Sequence, residues 1–560
     1  MNHKIHEKRD FRDVRSLIEW AAEEYGDRAA FSWGRGRETS RKSYLDLRDD
    51  VRALSCELLA RGYAGRHVVL IGKLGYEWAL VYYAVQIVGG VLVPLDRDWA
   101  KEELAETAMR ADAAFLFADA DLTEKAADIH AAASLLAAPC FLGGEGETGV
   151  SAMIAAGRER YRAEGDAYHT ARIAPYRMSL LVFTSGTTGK GKGVMLSQHN
   201  YLSDIADVIP YIDFRTKTVG VLPPHHTYGS SVLLIGHVMI GCEVYFSAGL
   251  RYVVTELKEQ KPGHLVLVPL YLETFYRRIL ATLKDQKKDK LILSLIAVSN
   301  GLRRIGIDIR KRLFAKVRAA FGGELDMIVS GGAPINGEIL DFFEAIGIST
   351  LNGYGITECA PIIAVNRSRN VVPGSVGNVL EIDHVRIDAP NEQGEGEILV
   401  TGPNVMLGYY KDDAATAEAI GSDGYFRTGD YGRLTKDNIL YITGRKKNLI
   451  ILSNGKNVYP EEIESEFVAV PGVQDIVVYE GQSRRGLAHN AIVAEIVPDR
   501  EYMEKNGVSD IRAYFAPYVE EYNRTTVPYK KIAVLKIRTE DFPKNTLRKI
   551  MRFKMDMTID

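Results

Sequence analysis

Ten consecutive residues, Thr184-Ser-Gly-Thr-Thr-Gly-Lys-Gly-Lys-Gly193, combine four glycines, four hydroxyl side chains and two lysines. Glycines let backbone N–H groups converge on a concavity, and hydroxyls and ammonium groups add further donors, so the composition suits a polyphosphate. The apolar run Leu180 to Phe183 leads directly into this segment, which predicts a strand feeding a loop. Gly186 to Lys192 satisfies the G-x-x-x-x-G-K part of a Walker A loop, but Gly193 stands where Ser or Thr would hold a magnesium ion, and that reading fails. The VMLSQHN that follows predicts a second strand and then a helix capped by Ser197, whereas a Walker loop opens straight into a helix. The bland alternative is a Gly/Thr-rich hairpin without a ligand.

Further segments carry usable chemistry. In NGYGITE (Asn352 to Glu358), Gly353 and Gly355 let the backbone approach a flat base, Tyr354 offers a ring to stack on it, and Glu358 supplies a hard oxygen for Mg²⁺. YFRTGD ends on Asp430, a carboxylate that can accept from both hydroxyls of a diol. His226 lies in HHTYG, and FPKNTLRKIMR places Lys549 among other cations near the C-terminus. Each has an ordinary reading beside it: a turn with an aromatic, a turn aspartate, a satisfied histidine, one cation of a basic tail.

In their order along the chain, from about residue 11 to 552, these segments resemble the adenylate-forming superfamily of acyl-CoA synthetases, peptide-synthetase adenylation domains and firefly luciferase. That superfamily's phosphate loop typically reads TSGTTGxPKG. Gly191 replaces its proline, a departure expected to loosen the loop without removing a phosphate ligand. The resemblance implies an ATP site built from Thr184, Ser185, Gly186, Thr187, Thr188, Gly189, Lys192, Gly332, Ala333, Asn352, Gly353, Tyr354, Asp430 and Arg445. It places His226, Tyr228, Gly332 and Gly355 around the acyl pocket, with Thr357 as a phosphate-contacting hydroxyl and Glu358 as the Mg²⁺ ligand. Lys549 takes the catalytic lysine's position, although Arg548 stands where glycine is usual, as in many long-chain fatty acyl-CoA synthetases. Gly455 and Lys456 would line a coenzyme A channel, and Lys447 would be the hinge.

The implied chemistry has two halves. A carboxylate is a poor acyl donor, so it first attacks the α-phosphate of ATP and expels pyrophosphate, with Lys549 and Mg²⁺ neutralising the developing charge. The thiol of coenzyme A then attacks the mixed anhydride and AMP leaves, after a rotation of the C-terminal domain that the resemblance implies. The glycine-free LRKIMR and the stretch GYFRTGDYGRLTKDNILYITGRKK resemble the medium- to long-chain fatty acid branch. The main alternative is an acyl-carrier-protein synthetase using the same adenylate. A luciferase-like oxygenase and a non-catalytic acyl-adenylate sensor belong to other classes and have less in their favour.

These side chains need a scaffold, and 560 residues with 46% hydrophobic and 26% charged side chains supply one. Short apolar runs alternating with helical patterns, such as HVVLIG from His67 and VLVPL from Val91, predict an α/β fold with βαβ sheets. The expected division is a large, multi-subdomain N-terminal domain over 1–444, a hinge at 445–448 and a small mobile α+β C-terminal domain over 449–560. A net charge of -3 disfavours a nucleic-acid partner. Cys56, Cys140, Cys242 and Cys359 are too scattered for a disulfide framework or a zinc site. The polar N-terminus lacks a signal's apolar core, and the apolar window Tyr228 to Phe246 is broken by glycines and charge, so a cytoplasmic protein is expected, at most peripheral on a membrane. Eleven Lys/Arg against three Asp between Lys284 and Arg318 read as a solvated helix pair or as a docking face for a membrane or an acidic carrier protein. A monomer or homodimer is expected, working on a fatty acid, ATP and coenzyme A.

Overall fold

The computed structural model describes residues 3–164, 166–184, 191–249, 251–452, 457–468, 470–481, 491–544 and 550–559. Its alternating elements make a mixed α/β architecture. A seven-stranded sheet has the order Gly408–Tyr409, Lys192–Ser197, Met178–Thr184, Val91–Leu95, His67–Ile71, Ala113–Asp119 and Cys140–Leu142. From Met178–Thr184 to Cys140–Leu142 every neighbour is parallel, while Lys192–Ser197 turns back antiparallel on Met178–Thr184. The helix Tyr76–Ile87 is apolar almost all round because nearly every one of its side chains is buried.

A nine-stranded sheet begins with the parallel strands His264–Leu267, Met327–Ser330 and Ser349–Gly355, then continues antiparallel through Ile362–Val365, Gly377–Val379 and Ile439–Arg445 to Phe426–Leu434. The three parallel strands deliver their carboxyl ends to one edge, where the turns SGGAP (Ser330 to Pro334) and GITE (Gly355 to Glu358) emerge, the usual place for a ligand in such sheets. A four-stranded sheet contains Ala29–Trp33, Glu243–Phe246 and Lys217–Gly220.

The apolar window after Tyr228 is a succession of short elements: the helix Thr227–Ser230, a π-helical turn Ser231–Gly236, the turn His237–Met239 and the strand Glu243–Phe246. Its glycines interrupt it where the sequence suggested, and it is core. Among the described residues no helix is long and apolar enough to cross a membrane.

Beyond Ile450 the chain builds its own core around Val458, Ile463, Phe467, Val478 and Phe515, beside a sheet of Val473–Gly481, Ala491–Pro498 and Val534–Ile537. This unit rests on the helix Pro269–Asp285. The Arg277 guanidinium donates to the Val468 carbonyl at 3.4 Å, and Lys505 pairs with Asp285 at 2.9 Å.

Candidate active site

Strand register positions the site's most buried charge. Phe426–Leu434 and Ile439–Arg445 pair antiparallel with Asp430 directly opposite Arg445, so the guanidinium reaches Asp430 Oδ1 at 3.3 Å. Tyr354, from the strand Ser349–Gly355, donates its hydroxyl to Asp430 Oδ2 at 2.7 Å. Burial and the adjacent carboxylate hold the Tyr354 phenol protonated, well above its ordinary range. The charge of Asp430 is the first cause that raises Arg445. A carboxylate offers about four lone-pair directions, of which Tyr354 and Arg445 each take one.

Glu358 follows in the turn Thr357–Cys359 after the same strand. Burial raises its carboxyl above the ordinary range, a hydrogen bond from Tyr409 and the charge of Arg445 oppose that, and Asp430 reinforces it. The Tyr409 hydroxyl donates to Glu358 Oε1 at 3.1 Å, and Lys192 Nζ lies 4.5 Å from the centroid of the Tyr409 ring. Tyr409 is carried by the two-residue strand Gly408–Tyr409, which pairs with Lys192–Ser197. The lysine after the phosphate loop, a phenol and a buried carboxylate thus form one row. One Glu358 oxygen bound by Tyr409 leaves the other for a hard cation, and Mg²⁺ commonly takes one carboxylate and completes its shell with phosphate and water, so the donors fit that ion.

The phosphate segment is a hairpin connection: Thr184 faces Lys192 and Phe183 faces Gly193 across the strands. Ser197 caps the next helix reciprocally with Asn200, as its sequence implied. Ser185, Gly186, Thr187, Thr188 and Gly189, and likewise Gly455, Lys456 and Lys549, lie outside the described residues. The expectation of a loosened loop falls on residues outside the described ones, but Gly191 itself is described. A Cβ there would stand 2.3 Å from the Thr184 carbonyl oxygen, and Arg110 donates to the Gly191 carbonyl at 2.6 Å while lying over the Phe183 ring. Glycine is required by a close backbone approach, and an arginine holds that end of the loop.

The neighbouring pocket wall forms where HHTYG meets SGGAP. Tyr228 donates to the Leu267 carbonyl at 3.4 Å, and a Cβ on Gly331 would stand 3.3 Å from that hydroxyl and 3.4 Å from the Gly353 oxygen. Gly332 turns with a positive φ of 87° and Ala333 is exposed. His226 begins the short helix Thr227–Ser230, its carbonyl accepting from Ser230, while the adjoining His225 Nε2 lies 3.3 Å from the buried Asp96. Asn352 sits in its strand, its carbonyl accepting from Asn366. Gly355 has a structural requirement of its own: a Cβ would lie 1.8 Å from the Pro361 carbonyl oxygen. Lys447 is exposed in the turn Lys446–Asn448 next to Arg445.

Two buried clusters have no counterpart in the sequence reading. His237 and His264 share a 2.8 Å Nε2–Nε2 contact beside Cys242, and the three ligand atoms lie within 4.8 Å of one another. The Arg215 N–H donates to His264 Nδ1, which puts the proton of His264 on Nε2, and His237 Nδ1 donates to the Val232 carbonyl. Both rings are satisfied while neutral, and burial pulls His237 down to about 4. The second cluster lies behind Glu358. Asn404 donates to Asp204 Oδ1 at 3.2 Å and to Asp383 Oδ2 at 2.9 Å, and the Ile362 N–H donates to Asp204 Oδ2. It braces the loop whose Met406 N–H donates to the Glu358 carbonyl at 2.8 Å.

Burial pushes Asp383 up to about 8, with the charge of Asp207 adding to it, and burial raises Asp204 further. The folded chain therefore holds a proton that an unfolded aspartate, at about 3.9, releases. This contribution to stability is full below about pH 4 and is lost as pH climbs through about 8. The thermal midpoint is expected to fall between pH 6 and pH 9, and Asp383→Asn is expected to flatten that fall. Calorimetry of both proteins across this range decides it, and parallel curves would remove Asp383 as the cause.

Comparisons with known proteins agree with this geometry. The family model described as AMP-binding enzyme matches residues 18–410. FadD15 of Mycobacterium bovis, named a long-chain-fatty-acid–CoA ligase, is 30% identical over 453 residues, covering 77% of this chain and 74% of its own. Among solved structures, ATP-bound MatB from Rhodopseudomonas palustris superposes with a TM-score of 0.75 at 24% identity, over 96% of this chain and 97% of that one. The o-succinylbenzoate CoA synthetase MenE of Bacillus subtilis, solved with the acyl-adenylate OSB-AMP, gives 0.70 at 19% identity over 96% and 97%. Its sheets, its buried Asp430 and its matched length lead to one conclusion: the chain belongs to the AMP-binding enzyme family.

Proposed function

We propose that this chain activates a medium- or long-chain fatty acid as its acyl-adenylate and transfers the acyl group to coenzyme A, releasing AMP and pyrophosphate. The observation that carries the proposal is the contact of Asp430 with Arg445 and Tyr354, near enough that the charges of Arg445 and Asp430 both act on the Glu358 carboxyl. A diol acceptor, a guanidinium, a ring and a buried carboxylate are what a nucleotide and its phosphates need at one place. The names of relatives such as FadD15 support the fatty acid and the thiol acceptor.

In this proposal Asp430 accepts from the ribose hydroxyls, and Arg445 offsets charge between ribose and phosphate. Gly332, Ala333, Asn352, Gly353 and Tyr354 frame the base. Thr184 to Gly189 and Lys192 hold the phosphates, with Thr357 beside them. Glu358 would hold Mg²⁺, which when bound supplies Lewis-acid neutralisation of phosphate charge. His226 and Tyr228, with Gly332 and Gly355, close the acyl side. Lys549 neutralises the α-phosphate during adenylation, and Gly455 and Lys456 line the thiol's approach. Residues 1–444 form the adenylating part and 449–560 the lid, with the bend at Lys447. Cytoplasmic placement, and a monomer or homodimer, belong to the same proposal.

Pyrophosphate release across acids of graded chain length, with coenzyme A and acyl carrier protein compared as acceptors, tests the reading. Release stimulated by medium or long acids and thioester formed on coenzyme A are expected; thioester on the carrier protein alone would replace the acceptor, and no stimulation would remove the fatty branch. Lys549→Ala is expected to slow adenylation by about 10²- to 10³-fold, by analogy with loss of one electrostatic donor, yet to keep thioester formation from supplied acyl-adenylate. A hydrogen bond from a charged group contributes about 1.5–3 kcal/mol, so Arg110→Ala is expected to raise KM for ATP by roughly tenfold or more, with kcat changed less. Partial recovery in Arg110→Lys would separate loop positioning from a general loss of fold.

A further inference from the structure

Large apolar side chains left exposed among the described residues are concentrated in one place. Leu280, Leu291, Leu293, Val298, Ile305 and Ile307 fall within a short stretch around the helix Asp289–Arg303, with Ile305 at 70%, Leu293 at 66% and Val298 at 58% exposure. The helix is already anchored on its other face: Ser299 is buried, and Ile292, Leu295 and Ile296 pack on the core that contains Phe343. Its outward side chains are therefore surplus to folding. Exposed cations surround them, namely Lys284, Lys287, Lys288, Lys290 and Arg304. Among the described side chains, the nearby acids Asp285 and Asp308 are engaged by Lys505 and Arg310.

We propose that the helix Asp289–Arg303 and the loops flanking it form a docking surface for an anionic lipid bilayer. Aliphatic side chains projecting between lysines match the boundary between acyl chains and headgroups, where apolar insertion and attraction to anionic lipid act together. A second copy of the chain would bring the same cations face to face, which disfavours this face as a dimer contact. A folded acidic partner would answer the charge, but isolated protruding Leu and Ile side chains require a matching groove in that partner, whereas a bilayer accepts them one by one.

The surface is joined to the site by a single rod. The helix Pro269–Asp285 starts beside the Leu267 carbonyl that Tyr228 contacts, and its 17 residues end at the first of the lysines. At about 1.5 Å per residue it spans roughly 25 Å. Docking would hold the acyl side of the site at a set distance from the phase in which a long-chain acid dissolves; this purpose, though not the surface itself, rests on the fatty-acid reading.

Flotation of the full chain with vesicles of phosphatidylcholine alone, and of phosphatidylcholine mixed with phosphatidylglycerol, tests the proposal without substrate. Binding to the mixed vesicles, weak binding to the neutral ones and release by salt are expected. Each lysine near an anionic surface is worth several-fold in affinity, so K287E/K288E/K290E is expected to bind about a hundredfold more weakly. L291S/L293S/I305S is expected to lose retention at high salt first. Both variants should keep the parent's unfolding temperature and its turnover of a short, soluble acid. Unchanged binding by both variants, no vesicle binding by the parent, or capture of acyl carrier protein by this face in place of vesicles would each overturn the proposal. Vesicle binding without fatty-acid activation would leave the surface standing and remove the substrate reading, and the reverse result would do the opposite.

Discussion

Taking a carboxylate out of water is tolerable only where partners replace the water, and Asp430, 4% exposed, is met by partners of different kinds. Arg445 compensates its charge and Tyr354 fills one of its lone pairs. Neither partner is adjustable. Arg445 is opposite because the strands pair in that register, and Tyr354 arrives on a strand whose parallel neighbours fix its height in the sheet. A slip of one residue between Phe426–Leu434 and Ile439–Arg445 would turn Asp430 to the other face and part it from the Arg445 guanidinium. The site is in this sense a property of sheet register more than of any loop.

Glu358 depends on the same construction from the other side. It sits three residues beyond Gly355, and its raised carboxyl is stabilised by segments that are remote in sequence: Tyr409 at its oxygen, Met406 at its backbone and Lys192 beyond the Tyr409 ring. Behind it, Asp204, Asp383 and Asn404 tie a helix to two loops. Burial raises both carboxyls, so the brace behind Glu358 keeps protons that exposed aspartates would release.

The sequence made the locally coded parts legible. Leu180–Phe183 and Ser197 read correctly as strand and helix cap because each signal lies within a few residues of what it determines. The buried helix Tyr76–Ile87 and the strands flanking it were equally plain from unbroken apolar composition. What escaped is joined over long separations. Arg110 meets Gly191 across 81 positions, and Asn404 meets Asp204 across 200, with no motif around Arg110, Asn404 or Asp204. The close approach at Gly191 escaped for the same reason: its neighbour in space is the Thr184 carbonyl, and composition cannot show a backbone approach. The histidine pair His237–His264 belongs here too, since a lone histidine in an apolar stretch announces nothing about a partner 27 residues away.

Two glycines at the pocket differ in how far they can drift over evolutionary time. Any side chain at Gly355 collides with the carbonyl oxygen of Pro361, and every residue type at position 361 carries that oxygen. No second substitution can therefore compensate, and position 355 is locked whatever acid the pocket serves. Gly331 faces the hydroxyl end of Tyr228, a group that mutation can shorten. Alanine at 331 paired with phenylalanine at 228 is an open path, and variation in pocket shape among descendants of this chain would be channelled through that pair, leaving the strand beside it unchanged.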